Sequence, residues 1–187
     1  MDKELEAQIE QKVREILDAE LGAKISKAIS EGQVESKAAF IASKGNLDSA
    51  YMPLILASAA AALEIESAIF FTFYGLDIIN KKKNKNLKVA PIANPAMPIP
   101  MPNIIGALPG MTAMATLMMK KWMAAQNVPS IQELLEVCME SRVKLIACTM
   151  SMDVMGIKKE DLIDGIEFGG AATFLEYASR CNITLLF

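Results

Sequence analysis

Three cysteines and no histidine set the chemistry open to this chain. Without an imidazole there is no Ser-His-Asp or Cys-His nucleophile pair. A zinc site would need a fourth ligand beside three dispersed thiols, so no metal and no cofactor is expected. Cys148 has the most informative setting. It ends an apolar run over residues 143–148 and precedes Thr149-Met150-Ser151-Met152-Asp153-Val154-Met155-Gly156, which reads as a turn opening onto a helix. A thiol at the carboxyl end of a strand, facing a helix start, is where α/β proteins place reactive groups. Backbone N–H groups from Thr149 and Met150 onward would favour its thiolate. Met150, Met152 and Met155 offer soft apolar surface that suits either a sulfur pocket or plain core. Position alone leaves packing and chemistry open at Cys148.

The other two thiols carry less. Cys138 lies in the helix before that strand. It is a second catalytic candidate, as a resolving thiol, if that helix brings it to Cys148, and a core residue otherwise; the spacing is not C-x-x-C. Cys181, near the end of the last helix, reads as structural. Ser43-Lys44-Gly45-Asn46 follows the first strand and precedes a helix. Such a turn can cradle an anion on its N–H groups, but both phosphate-loop fingerprints are missing, and a plain connection is the simpler reading. Tyr74 and Gly75 close the second strand at the same edge. Gly45, Asn46, Tyr74, Gly75, Thr149 and Met150 are therefore the candidate binding residues around Cys148.

The elements that must position these groups alternate. Strands are expected at 38–43, 67–74, 87–92, 143–148 and 182–187. Helices are expected at 47–63, 76–80, 111–125, 131–140, 158–164 and 171–180. Ser130 with Glu133 forms a capping-box pattern before the 131–140 helix. Continuous apolar strands separated by helices predict a five-stranded, mostly parallel sheet in a three-layer α/β/α arrangement. Reactive groups then belong on the loops after the strands.

Residues 1–36 stand apart as an N-terminal extension to a 37–187 domain. They hold nine acids and five bases, whereas the rest is nearly balanced. Leu5, Ile9, Val13, Ile16, Leu17, Leu21, Ile25 and Ile29 form one apolar stripe on an amphipathic helix. Residues 89–119 carry no charge but hold six of the eight prolines, so they do not read as a spanning helix. Peripheral membrane attachment through residues 95–119 is a minor alternative. Net charge of −3 gives no reason to expect nucleic acid as a partner. Dispersed, odd-numbered cysteines suit a reducing cytoplasm.

The run Lys144-Leu145-Ile146-Ala147-Cys148-Thr149-Met150-Ser151-Met152-Asp153-Val154-Met155-Gly156-Ile157, followed by Asp161-Leu162-Ile163-Asp164-Gly165-Ile166-Glu167-Phe168-Gly169-Gly170-Ala171-Ala172, resembles the DsrE/DsrF/DsrH-like family, in the branch labelled peroxiredoxin-like. Phe73-Tyr74-Gly75-Leu76 and residues 106–119 match as well. The resemblance covers about residues 37–187. It implies a three-layer α/β/α fold, an oligomer and a role in sulfur relay, with Cys148 carrying persulfide or a related sulfur group. It implies small sulfur-carrier proteins of the TusA type, or rhodanese-like donors, as partners.

The expectation is therefore a sulfur carrier or sulfurtransferase working through Cys148. The alternative is a non-catalytic binding module using the same crevice. The N-terminal stripe and the Pro/Met segment are two apolar surfaces for one small domain. They lead to the expectation of a homo-oligomer with at least one of them at an interface.

Overall fold

The computed structural model describes residues 36–90 and 110–187, together with Lys12 and Glu20, which are helical. The expected N-terminal helix otherwise lies outside the described residues, as does residues 91–109 of the Pro/Met segment. Residues 36–187 form one compact unit. Its order is β1 (Lys37–Ala42), α1 (Leu47–Ala62), β2 (Glu66–Phe71), a 3-10 segment (Phe73–Ile79), α2 (Met111–Ala125), α3 (Ile131–Glu140), β3 (Lys144–Cys148), α4 (Thr149–Met155), β4 (Glu167–Gly169), α5 (Ala171–Ala178) and β5 (Ile183–Leu186).

The five strands lie in the order β4-β3-β2-β1-β5, and every pairing is parallel. The alternation of side chains along each strand divides the core in two. Ala38, Phe40, Ala42, Ile69, Phe71, Leu145 and Ala147 face one way. They meet Leu54 and Ala57 of α1, Leu134 and Cys138 of α3, and Leu76 and Ile79 of the 3-10 segment. Ala39, Ala68, Phe70, Ile146 and Cys148 face the other way, against Phe174 of α5. The Phe70 and Phe174 rings stack at 4.9 Å between centroids. The second face has less cover among the described residues. Leu175 of α5 and Leu186 of β5 are 63% and 67% exposed.

Two helices match the sequence reading to the residue, α2 and α3. At α3 the Ser130 N–H donates to Glu133 at 2.6 Å, and the Glu133 N–H donates to the Ser130 hydroxyl at 3.3 Å. The five-stranded sheet is as expected, but one strand is a different one. Within the expected 87–92 strand, residues 87–90 pair with no strand. The Lys88 carbonyl instead accepts from the Leu47 N–H at 2.8 Å, and the Val89 N–H donates to the Thr116 hydroxyl at 3.2 Å. This stretch thus runs across the start of α1, and burial of Leu87 accounts for its apolar character. The fifth strand is β4, where Cys148 is in register with Gly169. The expected 67–74 strand ends at Phe71, and the 158–164 helix is a 3-10 turn over Lys159–Asp161.

Candidate functional site

Cys148 is the last residue of β3 and the N-cap of α4, with φ −71° and ψ 110°. It is 3% exposed. An N-cap side chain normally offers oxygen to the N–H groups of the second and third helical residues. Here those residues are Met150 and Ser151, and sulfur stands in the oxygen's place. The thiol makes no full capping hydrogen bond. Burial disfavours its ionisation. The Ser151 hydroxyl and N–H, the Thr72 hydroxyl and the Met150 N–H outweigh that burial and hold the thiol below its ordinary pKa. All are neutral groups, and because the two hydroxyls also bond each other only one of them donates to sulfur at a time; neither a cation nor an imidazole contributes. The arrangement favours a sulfur anion by hydrogen bonding, the same device that stabilises an oxyanion.

Thr72 directly follows β2, and Ser151 lies in the first turn of α4. Their hydroxyl oxygens are 2.9 Å apart. Ser151 is fully buried and Thr72 partly so. Two hydroxyls in contact can share one proton between them and still donate one outward, since each is both donor and acceptor. Parallel pairing makes the meeting: Phe71 is in register with Ala147, so Thr72 and Cys148 leave adjacent strands side by side.

The candidate residues divide among three places. Thr149 and Met150 stand beside Cys148, and Met150 is exposed. Gly45, Asn46 and Tyr74 line a crevice of ≈ 370 Å³ with Lys44, Asp77 and Lys88. The Asn46 amide turns into the first turn of α1, donating to Asp48 at 2.6 Å and Ser49 at 3.0 Å. Gly75 is buried, and a Cβ there would collide with the Ala42 carbonyl oxygen. These loops share the carboxyl edge of β1, β2 and β3.

Cys138 is not brought to Cys148. It is fully buried in the core on the opposite face of the sheet, with Sγ 3.7 Å from the Leu54 carbonyl oxygen. Burial pushes its thiol up to about 11. Cys181 is partly buried, 3.4 Å from the Tyr177 carbonyl oxygen, and burial with the nearby Glu66 carboxylate raises its thiol too. Among the described residues no three Cys, Asp or Glu side chains are arranged to hold a metal ion, and no helix is long and apolar enough to cross a membrane.

Thr72 and Ser151 are the residues that the sequence reading passed over. Ser151 had a local signal, because it stands three residues after an N-cap. Thr72 has none, because it falls within the expected 67–74 strand as one more strand residue.

The sulfur carrier protein DsrE2 of Allochromatium vinosum is 50% identical over 157 residues, spanning 81% of this chain and 98% of that protein. The Bacillus subtilis protein YrkE is 31% identical over 144 residues, spanning 75% of this chain and 90% of its own. The crystal structure of the E. coli ychN protein superposes with a TM-score of 0.51 at 17% identity, over 81% of this chain and 99% of that one, which is a likeness of fold. A family model described as DsrE/DsrF/DrsH-like matches residues 34–186. The chain belongs to the DsrE/DsrF/DrsH-like family.

Proposed function

We propose that this protein is a sulfur-relay protein that carries sulfur as a persulfide on Cys148. The observation that carries the reading is the buried thiol at the junction of β3 and α4, on the strand next to the one that leads into the Thr72–Ser151 hydroxyl pair. The sulfur-carrier name of the Allochromatium relative supports it. The step needs no general base. The Cys148 thiolate attacks the outer sulfur of a donor persulfide. A new S–S bond forms at Cys148, the donor's S–S bond breaks, and the donor leaves as a thiolate. Charge and oxidation level balance, and no proton moves. The terminal proton stays on the transferred sulfur during the exchange; once the new persulfide releases it to water, Cys148 again carries a sulfur anion that the same donors can serve. Passing the sulfur on is this step reversed with an acceptor thiolate.

The partners in this reading are small sulfur-carrier proteins of the TusA type or rhodanese-like donors. Three free thiols suit a reducing compartment, here the cytoplasm. The protein works as a homo-oligomer, a reading supported by the exposed apolar side chains of α5 and β5. Light scattering at micromolar concentration is expected to exceed the monomer mass; a monomer ends that part of the proposal.

Mass spectrometry after incubation with a low-molecular-weight persulfide tests the central claim. The wild type is expected to gain one sulfur, and Cys148→Ser none. A wild type that gains nothing beyond Cys148→Ser would refute it. Resistance of Cys148 to iodoacetamide in the folded protein would favour a binding module built on the ≈ 370 Å³ crevice instead.

A further inference from the structure

The turn that follows β2 is strained at one residue. Phe73 has φ +47°, a conformation that residues with a Cβ rarely adopt. Its ring is 50% exposed, so core packing does not compensate for the backbone. The turn itself holds it there. The Gly75 N–H donates to the Thr72 carbonyl at 2.9 Å, and the Thr72 N–H donates to the Ala42 carbonyl at 3.0 Å. A Cβ at Gly75 would strike the Ala42 carbonyl oxygen, and one at Gly45 would strike that of Tyr74. The four residues Thr72 to Gly75 are thus pressed onto the end of β1, and Phe73 takes up the reversal. Thr72 itself stays extended, with φ −132° and ψ 153°.

We propose that Phe73 is a positioning residue for Cys148 that acts through Thr72. Its left-handed backbone ends β2 at the point where the Thr72 hydroxyl meets Ser151, 2.9 Å away, on the strand adjacent to the one that ends in Cys148. An extended residue 73 would carry the chain along the strand and break the bond between the Gly75 N–H and the Thr72 carbonyl, which fixes the Thr72 peptide. The proposal rests on Cys148 as the reactive thiol. The strain at Phe73 is then the cost of a hydroxyl held in place before any sulfur arrives.

The test reads the thiol and not its cargo, so its outcome is separate from whether Cys148 loads sulfur. The rate of Cys148 alkylation by iodoacetamide is followed against pH by peptide mass spectrometry in the full chain. The titratable groups on elements around Cys148 are Glu66 on β2, Tyr74 and Asp77 on the 3-10 segment, Lys144 on β3, Asp153 on α4, Glu167 on β4, and Glu176 and Tyr177 on α5. All are kept in every variant. Phe73→Gly, which adopts positive φ freely, is expected to keep the wild-type midpoint. Phe73→Val, whose branched side chain resists positive φ, is expected to raise it by about one pH unit, the worth of one hydrogen bond to an ion. Thr72→Val should raise it similarly, and Phe73→Val should add nothing in the Thr72→Val background. If Phe73→Val does not fold, Phe73→Ala carries the same comparison. The proposal is overturned if the Val or Ala variant keeps the wild-type midpoint. It is also overturned if Phe73→Gly shifts the midpoint equally, or if the shift persists in full without the Thr72 hydroxyl.

Discussion

Cys138 offers a quantitative test of the claim that only one of the two thiols near β3 is built for chemistry. It is fully buried in the core between α1 and α3, and its thiol is pushed from an ordinary value of 9.0 up to about 11 by burial. The folded pKa lies above the unfolded one. The unfolded chain therefore releases this proton first as pH rises. The stabilisation is fully present below pH 9, and it is lost as pH rises through about 11. A difference of this size corresponds to roughly 3 kcal/mol between the two ends of the window. Cys138→Ala removes the effect. It also leaves a small cavity, at a pH-independent cost of about 1 kcal/mol. Urea unfolding of the wild type and Cys138→Ala at pH 7.0 to 11 (in roughly half-unit steps) isolates the cysteine, because lysines and tyrosines titrate alike in both. The variant is expected to be the less stable at neutral pH, and the gap should close and then reverse toward the alkaline end. A gap that stays constant across the range would refute the reasoning. It would mean that Cys138 ionises in the folded protein as easily as in the unfolded chain. Cys138 would then be reachable by solvent, and its exclusion from the chemistry would lose its physical ground.

Three further outcomes follow from the site and its supports. Ser151→Ala removes the hydroxyl and keeps the N–H, so the midpoint of Cys148 alkylation should rise by about one pH unit. An unchanged pH profile would contradict the assignment of this donor. Gly75→Ala puts a Cβ against the Ala42 carbonyl oxygen, and thermal unfolding should show a loss of about 2 kcal/mol or more, the scale of overpacking beside rigid backbone; an unaltered melting temperature would deny the close approach. Glu66 accepts ion pairs from Lys37 at 2.7 Å and Lys144 at 2.8 Å, and hydrogen bonds from Lys144 and then Lys37 hold its carboxyl at about 2. Its folded pKa is lowered, so its contribution is present above 4.5 and is lost as pH falls through about 2. The carboxylate is partly open to water, so Glu66→Gln should cost only about 1 kcal/mol at neutral pH and clearly less near pH 2 in urea titrations. An equal cost at both pH values would count against the ion pairs.

The parts of this fold that were readable from sequence are those whose signal is local. Helix α3 announces itself through Ser130 and Glu133, a capping pair contained within four residues. Strand β3 is a short apolar run with a turn behind it. Strand β4 carries no such signal. It has three residues, one of them glycine, and it is a strand because β3 supplies the ladder beside it. The 87–92 run shows the converse. It has strand composition, but residues 87–90 find partners in the start of α1 and in Thr116, and no ladder forms. Apolar composition reports burial, and burial does not distinguish a paired strand from a segment laid across a helix.

The same distinction governs the site. Cys148 was legible because a strand end and a helix start adjoin it in sequence. Its strongest supports were only half legible, because Thr72 and Ser151 lie 79 residues apart. Their meeting depends on the register of β2 against β3, which no local pattern displays. Cys138 makes the opposite point. It lies ten residues before Cys148, and the helix that holds it packs against the sheet that β3 belongs to, as the sequence allowed. Along β3, Leu145 and Ala147 face the core that contains Cys138, whereas Ile146 and Cys148 face α5. A shift of one residue in that alternation would have put both thiols on one face. The parity of the strand therefore places Cys138 and Cys148 on opposite faces of the sheet, and leaves Cys148 alone among the neutral donors at the strand ends.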